Sequence, residues 1–173
     1  TVSLPGSQIY ENLVSGSIQA TEWVGPYNDY FMKFYEAAKY YYYPGMHEPA
    51  SQLHMGMNKK WWDSLSKTDQ AIIEAACAEE NSHQMAETNA NNGAYLNKLI
   101  NDHGVKVRAF NDDVYDAFGK AAEEVFAEVQ AHSPLAKKIH ESFLKARADL
   151  GRWMILADSG YINQRNRVLG IKV

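Results

Sequence analysis

Residues Ala20–Pro49 read ATEWVGPYNDYFMKFYEAAKYYYYPGMHEP, and the organisation of the chain follows from this stretch. It holds most of the chain's eleven tyrosines, and the glutamates Glu22 and Glu48 lie near its two ends. The Gly25-Pro26 and Pro44-Gly45 pairs divide it, because glycine and proline terminate regular structure. Tyrosine is a poor choice for plain packing, since each buried hydroxyl needs a hydrogen-bond partner. The stretch therefore predicts a small-ligand pocket that is apolar in body with a few polar groups.

Propensity and apolar spacing predict the strands around these breakers. A buried strand delivers Glu22 and Trp23 at its carboxyl end, which is the edge where open α/β sheets bind ligands. Pro26 suits the first turn of a helix that we expect to run to about Lys39. The predicted strands are Ile18–Val24, Tyr40–Tyr43, Leu53–Met57 and Val105–Phe110.

The rest of the chain is predicted to be helical. One long helix, about Thr68 to Asp102, has a small and polar middle, so we expect it to lie partly solvated across other elements. The last helix carries an unbroken apolar row from Leu135 to Ala157, which predicts packing against another body. The predicted helix starts are capped by Ser7, Asn58, Ser66 with Asp69, Asn111 and Ser133 with Pro134.

Composition excludes several classes of protein. The chain has 173 residues, 46% of them hydrophobic, which is enough for a sizeable core. Its formal net charge is −4 with both signs interspersed, so we expect no nucleic-acid partner. Cys77 is the single cysteine, which excludes an intramolecular disulfide and a multi-thiolate metal site.

Glu22 and Glu48 admit three interpretations. They can be ordinary surface carboxylates, they can converge on a hard cation, or they can form an acid/base pair. A metal-dependent hydrolase using Glu22, His47 and Glu48 is a remote alternative, because the HExxH arrangement is absent. No activated nucleophile is signalled either, so binding is better supported than catalysis.

Methionine and histidine around the same loop raise a separate possibility. A soft metal such as Cu(I) favours thioether and imidazole ligands. Methionines spaced by two residues on a strand are more often part of a core, and this interpretation is the stronger one. The residues concerned are Met46, His47, His54, Met55 and Met57.

Three segments carry a resemblance to a known family: SLPGSQIYENLVSGSIQATEWVGPYND, FYEAAKYYYYPGMHEP and NKKWWDSLS, which begin at Ser3, Phe34 and Asn58. In these segments the chain resembles the C-terminal half of solute-binding receptors of tripartite ATP-independent periplasmic (TRAP) transporters, and above all the receptors for 2-oxo acids such as pyruvate. The resemblance implies the C-terminal part of a type II-like periplasmic binding protein. That fold is α/β and helix-rich, with a small mixed sheet and a long C-terminal helix.

The resemblance also implies a non-enzymatic function and a site. A cation, sodium or calcium, would bridge a small monocarboxylate to the protein in the periplasm, and membrane TRAP permease subunits would receive the ligand. Carried onto this sequence, the cation ligands are the Glu22 side chain, the Trp23 main-chain carbonyl and the Glu48 side chain. The residues that would line the substrate site are Trp23, Tyr27, Asn28 and His47.

This chain departs from the family pattern because the sequence lacks the earlier lobe of such receptors. Residues 1–173 are expected to be a single incomplete unit, because the earlier lobe of such receptors supplies an arginine for the substrate carboxylate and a glutamine for the cation. We therefore expect these residues alone to bind substrate weakly or not at all. The rival hypothesis is an interaction module that forms a homo-oligomer through the long C-terminal helix.

Overall fold

The computed structural model describes residues 1–48, 51 and 53–172. The chain forms two compact units, Thr1–Ala109 and Phe110–Val173. The elements of the first unit are α1 (Gly6–Ser15), α2 (Pro26–Phe31), α3 (Phe34–Ala37), β1 (Tyr40–Tyr43), α4 (Lys59–Ser64), α5 (Lys67–Asn101) and β2 (Lys106–Ala109). Those of the second are α6 (Asp112–His132), α7 (Pro134–Met154), a π-helical turn (Ile155–Ser159) and α8 (Gly160–Leu169).

Helix α5 organises the first unit. Its start is confirmed as the predicted capping box, because the Ser66 Oγ accepts the Asp69 N–H at 3.1 Å. On its second half Tyr95 packs against α2, with ring centroids 5.0 Å from Tyr27 and 5.0 Å from Tyr30. The long helix is therefore the surface on which α2 is placed.

Strands β1 and β2 pair in parallel, with Tyr40 opposite Lys106 and Tyr43 opposite Ala109. A parallel pair needs a crossover connection, and helices α4 and α5 provide it. The predictions of strands at Tyr40–Tyr43 and within Val105–Phe110 are confirmed. The helix-rich α/β class is confirmed as well.

Two predicted strands are wrong. Ile18–Val24 has no regular structure, because its last N–H group, that of Val24, donates to the side chain of Asp29 and not to a neighbouring strand. Leu53–Met57 is also irregular; Leu53 and Met55 are exposed, so no packed face orders the segment. Within the described residues, β1 and β2 are the paired strands.

The single helix predicted from Pro26 to Lys39 is broken in two. Helix α2 ends at Phe31, and Lys33 adopts a left-handed conformation with φ of 56° before α3 begins. After the break, Phe34 is buried and meets the Trp23 ring edge to face at 6.4 Å. Burial of Phe34 explains why the chain departs from the uninterrupted helical spacing.

The second unit is a helical pair followed by an extension. Phe126 of α6 lies 5.2 Å from the ring of His140, which is buried on α7. The predicted start of α7 is confirmed, since the Ser133 Oγ accepts the Ala136 N–H at 3.1 Å. The π-helical turn carries α7 into α8, which ends at Gly170 in a left-handed conformation.

The apolar row on α7 is exposed within the described chain. Leu135 is 65% exposed, Leu150 61% and Trp153 63%. The prediction that this row packs against another body stays a prediction, although its exposure is the state that the prediction requires. Among the described residues, no helix has both the length and the hydropathy to cross a membrane.

Replacement of Leu99 tests the packing of α5. Leu99 is 2% exposed, whereas the adjacent Ile100 is 36% exposed. We expect Leu99→Ala to lower the free energy of unfolding by about 2–5 kcal/mol, because it leaves a cavity in the first unit. Ile100→Ala is the matched control, with an expected loss below about 1 kcal/mol. Urea denaturation followed by circular dichroism measures both, and equal losses would contradict the packing described.

Candidate functional site

The candidate site is built around Asp29 on α2, which is buried at 8% exposure. Its Oδ1 accepts the N–H groups of Val24 at 3.3 Å and Gly25 at 3.2 Å. Its Oδ2 accepts the Tyr41 hydroxyl at 2.6 Å. One carboxylate therefore joins three parts of the chain: the segment that holds Glu22, helix α2 and strand β1.

Burial is the main cause of the pKa shifts of Asp29 and Tyr41. Loss of water raises the pKa of Asp29, and the hydrogen bonds from Tyr41, Val24 and Gly25 lower it in part. Burial also raises the pKa of Tyr41, and the Asp29 carboxylate raises it further. Tyr41 is therefore a hydrogen-bond donor and not a titrating group at neutral pH.

Glu22 lies in the irregular segment before α2, and its side chain is exposed. Partial loss of water raises the pKa of Glu22, and the Glu48 carboxylate raises it further. His47 lowers that pKa, whereas Asp29 raises it. Glu48 and His47 thus lie within electrostatic reach of Glu22, and the predicted roles of these residues in a site stay predictions.

The Trp23 ring is half-buried and packs against other residues of the first unit. Besides its contact with Phe34, it lies over Gly6, where a Cβ atom would approach the Trp23 Cη2 to 2.8 Å. A side chain at Gly6 would therefore displace the indole. The role of the indole in lining a substrate site stays a prediction, and so does the role of the Trp23 carbonyl as a cation ligand.

Tyr27 and Asn28 occupy the first turn of α2. The Tyr27 N–H donates to the Asn92 Oδ1 at 3.0 Å, and its ring packs against Phe31 and Tyr95. Asn28 is half-buried on the same helix. The Tyr27 ring contributes packing between α2 and α5, and its predicted contact with substrate, like that of Asn28, is untested.

Three residues of this arrangement were missed by sequence reasoning. Asp29 was missed because a strand was expected at Ile18–Val24; its side chain reaches back to the Val24 and Gly25 N–H groups, much as the acidic residue of a capping box does from one position earlier. Tyr41 was assigned only as a strand residue. Asn92 lies in the polar middle of α5, and its unpredicted contact with α2 explains part of that polarity.

The donor atoms suit a hard cation. Carboxylate and main-chain carbonyl oxygens are the ligands that calcium and sodium prefer, and a cation would relieve the repulsion that raises the pKa of Glu22 beside Glu48. The set of candidate ligands is small, since the described residues contain no group of three His, Cys, Asp or Glu side chains able to hold a metal ion. A cation held here needs further oxygen ligands.

The described residues give little support to a soft-metal site or to a metal-dependent hydrolase. Met55 is exposed, so the interpretation of Met55 as a core residue on a strand is wrong. Its sulfur lies 3.9 Å from the sulfur of Cys77, which is also exposed. A hydrolase would need a third acidic or imidazole ligand beside Glu22 and Glu48, and the part of the chain that is described contains no such trio.

Comparison with known proteins places the chain in a family. The model of the bacterial extracellular solute-binding protein family 7 matches residues 1–133. A monocarboxylate 2-oxoacid-binding periplasmic protein of Nostoc sp. is 32% identical over 160 residues, which cover 92% of this chain and 44% of that protein. The chain therefore spans about half the length of the relatives it matches.

Two crystal structures of TRAP transporter solute-binding proteins share the fold. One, from Bordetella bronchiseptica, is a mixed-occupancy dimer with copurified calcium and picolinate; it has a TM-score of 0.89 and 33% identity, over 98% of this chain and 50% of that one. The other, from Colwellia psychrerythraea, has bound calcium and pyruvate; it has a TM-score of 0.89 and 30% identity, over 94% and 50%. The resemblance found in the sequence motifs is confirmed, and the chain belongs to the bacterial extracellular solute-binding protein family 7, among the TRAP transporter receptors.

Proposed function

We propose that the full-length protein containing this chain is a periplasmic receptor that binds a small 2-oxo monocarboxylate, such as pyruvate, together with a cation. It would deliver this ligand to membrane TRAP permease subunits and carry out no chemistry on it. The observation that carries the proposal is the electrostatic influence of Glu48 on Glu22, the residue before Trp23, in a chain 30% identical to a protein with bound calcium and pyruvate.

Charge makes the cation necessary. A substrate carboxylate placed near Glu22 and Glu48 would meet like charges, and two unit charges 4 Å apart interact by about 1 kcal/mol in water and about 4 kcal/mol near a protein surface. A bound cation supplies the positive charge that reverses this repulsion. Calcium is favoured by the two solved relatives, and sodium is the alternative that the motifs leave open.

The protein's own N–H groups before and within the first turn of α2 do not replace the cation. Those of Val24 and Gly25 are bound to Asp29, that of Tyr27 is bound to Asn92, and Pro26 has none. The N–H groups of Val24, Gly25 and Tyr27 are therefore already bound and are not ready donors to a carboxylate. In this proposal the substrate charge is met by a cation and by the arginine that the family resemblance implies.

The second candidate function is self-association. The apolar row of α7 is exposed, and one solved relative is a dimer. A second copy that covers Leu135, Leu150 and Trp153 would bury the row from water, at about 25 cal/mol for each Å² of apolar surface. This function is compatible with ligand binding by the first unit.

Calorimetric titration of the full-length protein with pyruvate tests the receptor function. We expect binding in calcium or sodium and a large loss in chelator with potassium alone. Glu22→Gln and Glu48→Gln should each weaken cation-dependent binding by at least about tenfold, since each removes a charged ligand. Glu11→Gln, at an exposed position on α1, is the matched control. Absence of pyruvate binding with every cation would reject the proposed function.

A titration of Glu22 by NMR tests the geometry directly. We expect Glu48→Gln to lower the pKa of Glu22, because it removes a neighbouring negative charge, and His47→Asn to raise it, because it removes a group that favours the charged form. Carbon-13 chemical shifts of the Glu22 carboxyl report the change. A Glu22 pKa that is the same in wild type and Glu48→Gln would show that the carboxylates are not neighbours.

Multi-angle light scattering tests self-association. We expect a dimer mass for the wild type and a monomer mass for Trp153→Glu, because a charge in the apolar row opposes its burial. Lys137→Glu, also exposed on α7, is the control and should leave the dimer intact. A wild type that stays monomeric at high micromolar concentration would contradict this candidate.

A further inference from the structure

The peptide unit between Trp23 and Val24 joins the candidate site to Asp29. Its N–H belongs to Val24 and donates to the Asp29 Oδ1, and its C=O belongs to Trp23. Because a trans peptide is planar, the carbonyl points in the direction opposite to the N–H. The position of the Asp29 carboxylate therefore sets the direction in which the Trp23 carbonyl oxygen points.

The carboxylate is itself held from a second direction. Tyr41 donates to its Oδ2 at 2.6 Å, and Tyr41 lies in β1, which is paired along its length with β2. The chain that leaves β1 carries His47 and Glu48 six and seven residues after Tyr41. One hydrogen-bonded chain, Tyr41 to Asp29 to Val24, thus links the strand before Glu48 to the segment that holds Glu22.

We propose that Asp29 is a positioning residue of the cation site: held by Tyr41, it orients and polarises the Trp23 carbonyl and fixes the separation of Glu22 and Glu48. The proposal rests on the cation-binding function above and deepens it. Asp29 does not ligate the cation in this account, because its Oδ1 is occupied by two N–H donors and its Oδ2 by the tyrosine hydroxyl.

The charge of Asp29 also favours a cation at the Trp23 carbonyl. A carboxylate that accepts the N–H of a peptide increases the negative charge on the carbonyl oxygen of that peptide, since hydrogen bonds in a chain polarise one another. The Asp29 carboxylate is also a negative charge hydrogen-bonded to the peptide that bears that carbonyl. Both effects favour a cation beside the Trp23 carbonyl; the first weakens and the second disappears when the carboxylate becomes an amide.

Asp29→Asn separates this role from simple structural support. The amide keeps an oxygen for the Val24 and Gly25 N–H groups and a polar partner for Tyr41, so the fold is retained while the charge is lost. The amide weakens the hydrogen bonds from Val24, Gly25 and Tyr41, but it also removes the cost of burying a charge, so we expect a melting temperature without calcium close to that of the wild type. We expect calcium affinity to fall about tenfold nevertheless, as is usual for residues that orient metal ligands.

Tyr41→Phe tests the second link. It removes the hydroxyl that holds Asp29, and we expect calcium affinity to fall by at least about threefold. Tyr10→Phe is the matched control. The Tyr10 hydroxyl also donates to a carboxylate at 2.6 Å, but its partner is Glu36, which is not a residue of the candidate site. The calcium affinity of Tyr10→Phe should equal that of the wild type.

The experiment is calorimetric titration of the full-length protein and its variants with calcium chloride, together with melting curves with and without calcium. Weaker calcium binding and a smaller calcium-induced rise in melting temperature for Asp29→Asn, with calcium-free stability retained, support the proposal. Wild-type affinity in both Asp29→Asn and Tyr41→Phe overturns it while leaving the proposed function intact. Failure of the wild type to bind calcium or sodium would reject the proposed function and this inference together.

Discussion

The buried carboxylate of Asp29 is the contact on which the arrangement of the first unit depends. It accepts two N–H groups from the segment before α2 and one hydroxyl from β1, so it replaces the strand ladder that the sequence predicted for Ile18–Val24. A buried carboxylate is costly unless its oxygens are satisfied, and here three donors converge on it. The segment that carries Glu22 and Trp23 is consequently irregular in conformation and yet closely held.

The same constraint explains the tyrosine-rich stretch. Tyr41 gives its hydroxyl to Asp29, while Tyr27 and Tyr30 place their rings against Tyr95 of α5. Tyr27, Tyr30 and Tyr41 are therefore parts of the frame around the candidate site, whereas Glu22, His47 and Glu48 are the residues that we propose for the cation and the ligand. This division of roles suits a receptor, which needs a rigid frame and a few polar groups to orient its ligand.

Local signals predicted the elements that depend on local chemistry. The Ser66 and Ser133 caps, the strand Tyr40–Tyr43 and the long helix α5 were all predicted, because capping and helical periodicity are properties of neighbouring residues. The break at Lys33 was missed because it depends on the burial of Phe34, and the contact between Asn92 and Tyr27 spans 65 residues of sequence. The glutamate pair is a prediction from a motif, whereas the contacts of Asp29 with Val24, Gly25 and Tyr41 could be found only from the tertiary structure.

A crystal structure of the full-length protein with calcium and pyruvate tests the central claim most directly. The account predicts calcium at about 2.3–2.6 Å from the Glu22 carboxylate and from the Trp23 carbonyl oxygen. Asp29 should remain outside the coordination sphere, still accepting the Val24 N–H and the Tyr41 hydroxyl. Calcium bound directly to Asp29, or a Trp23 carbonyl turned away from the cation, would contradict the account.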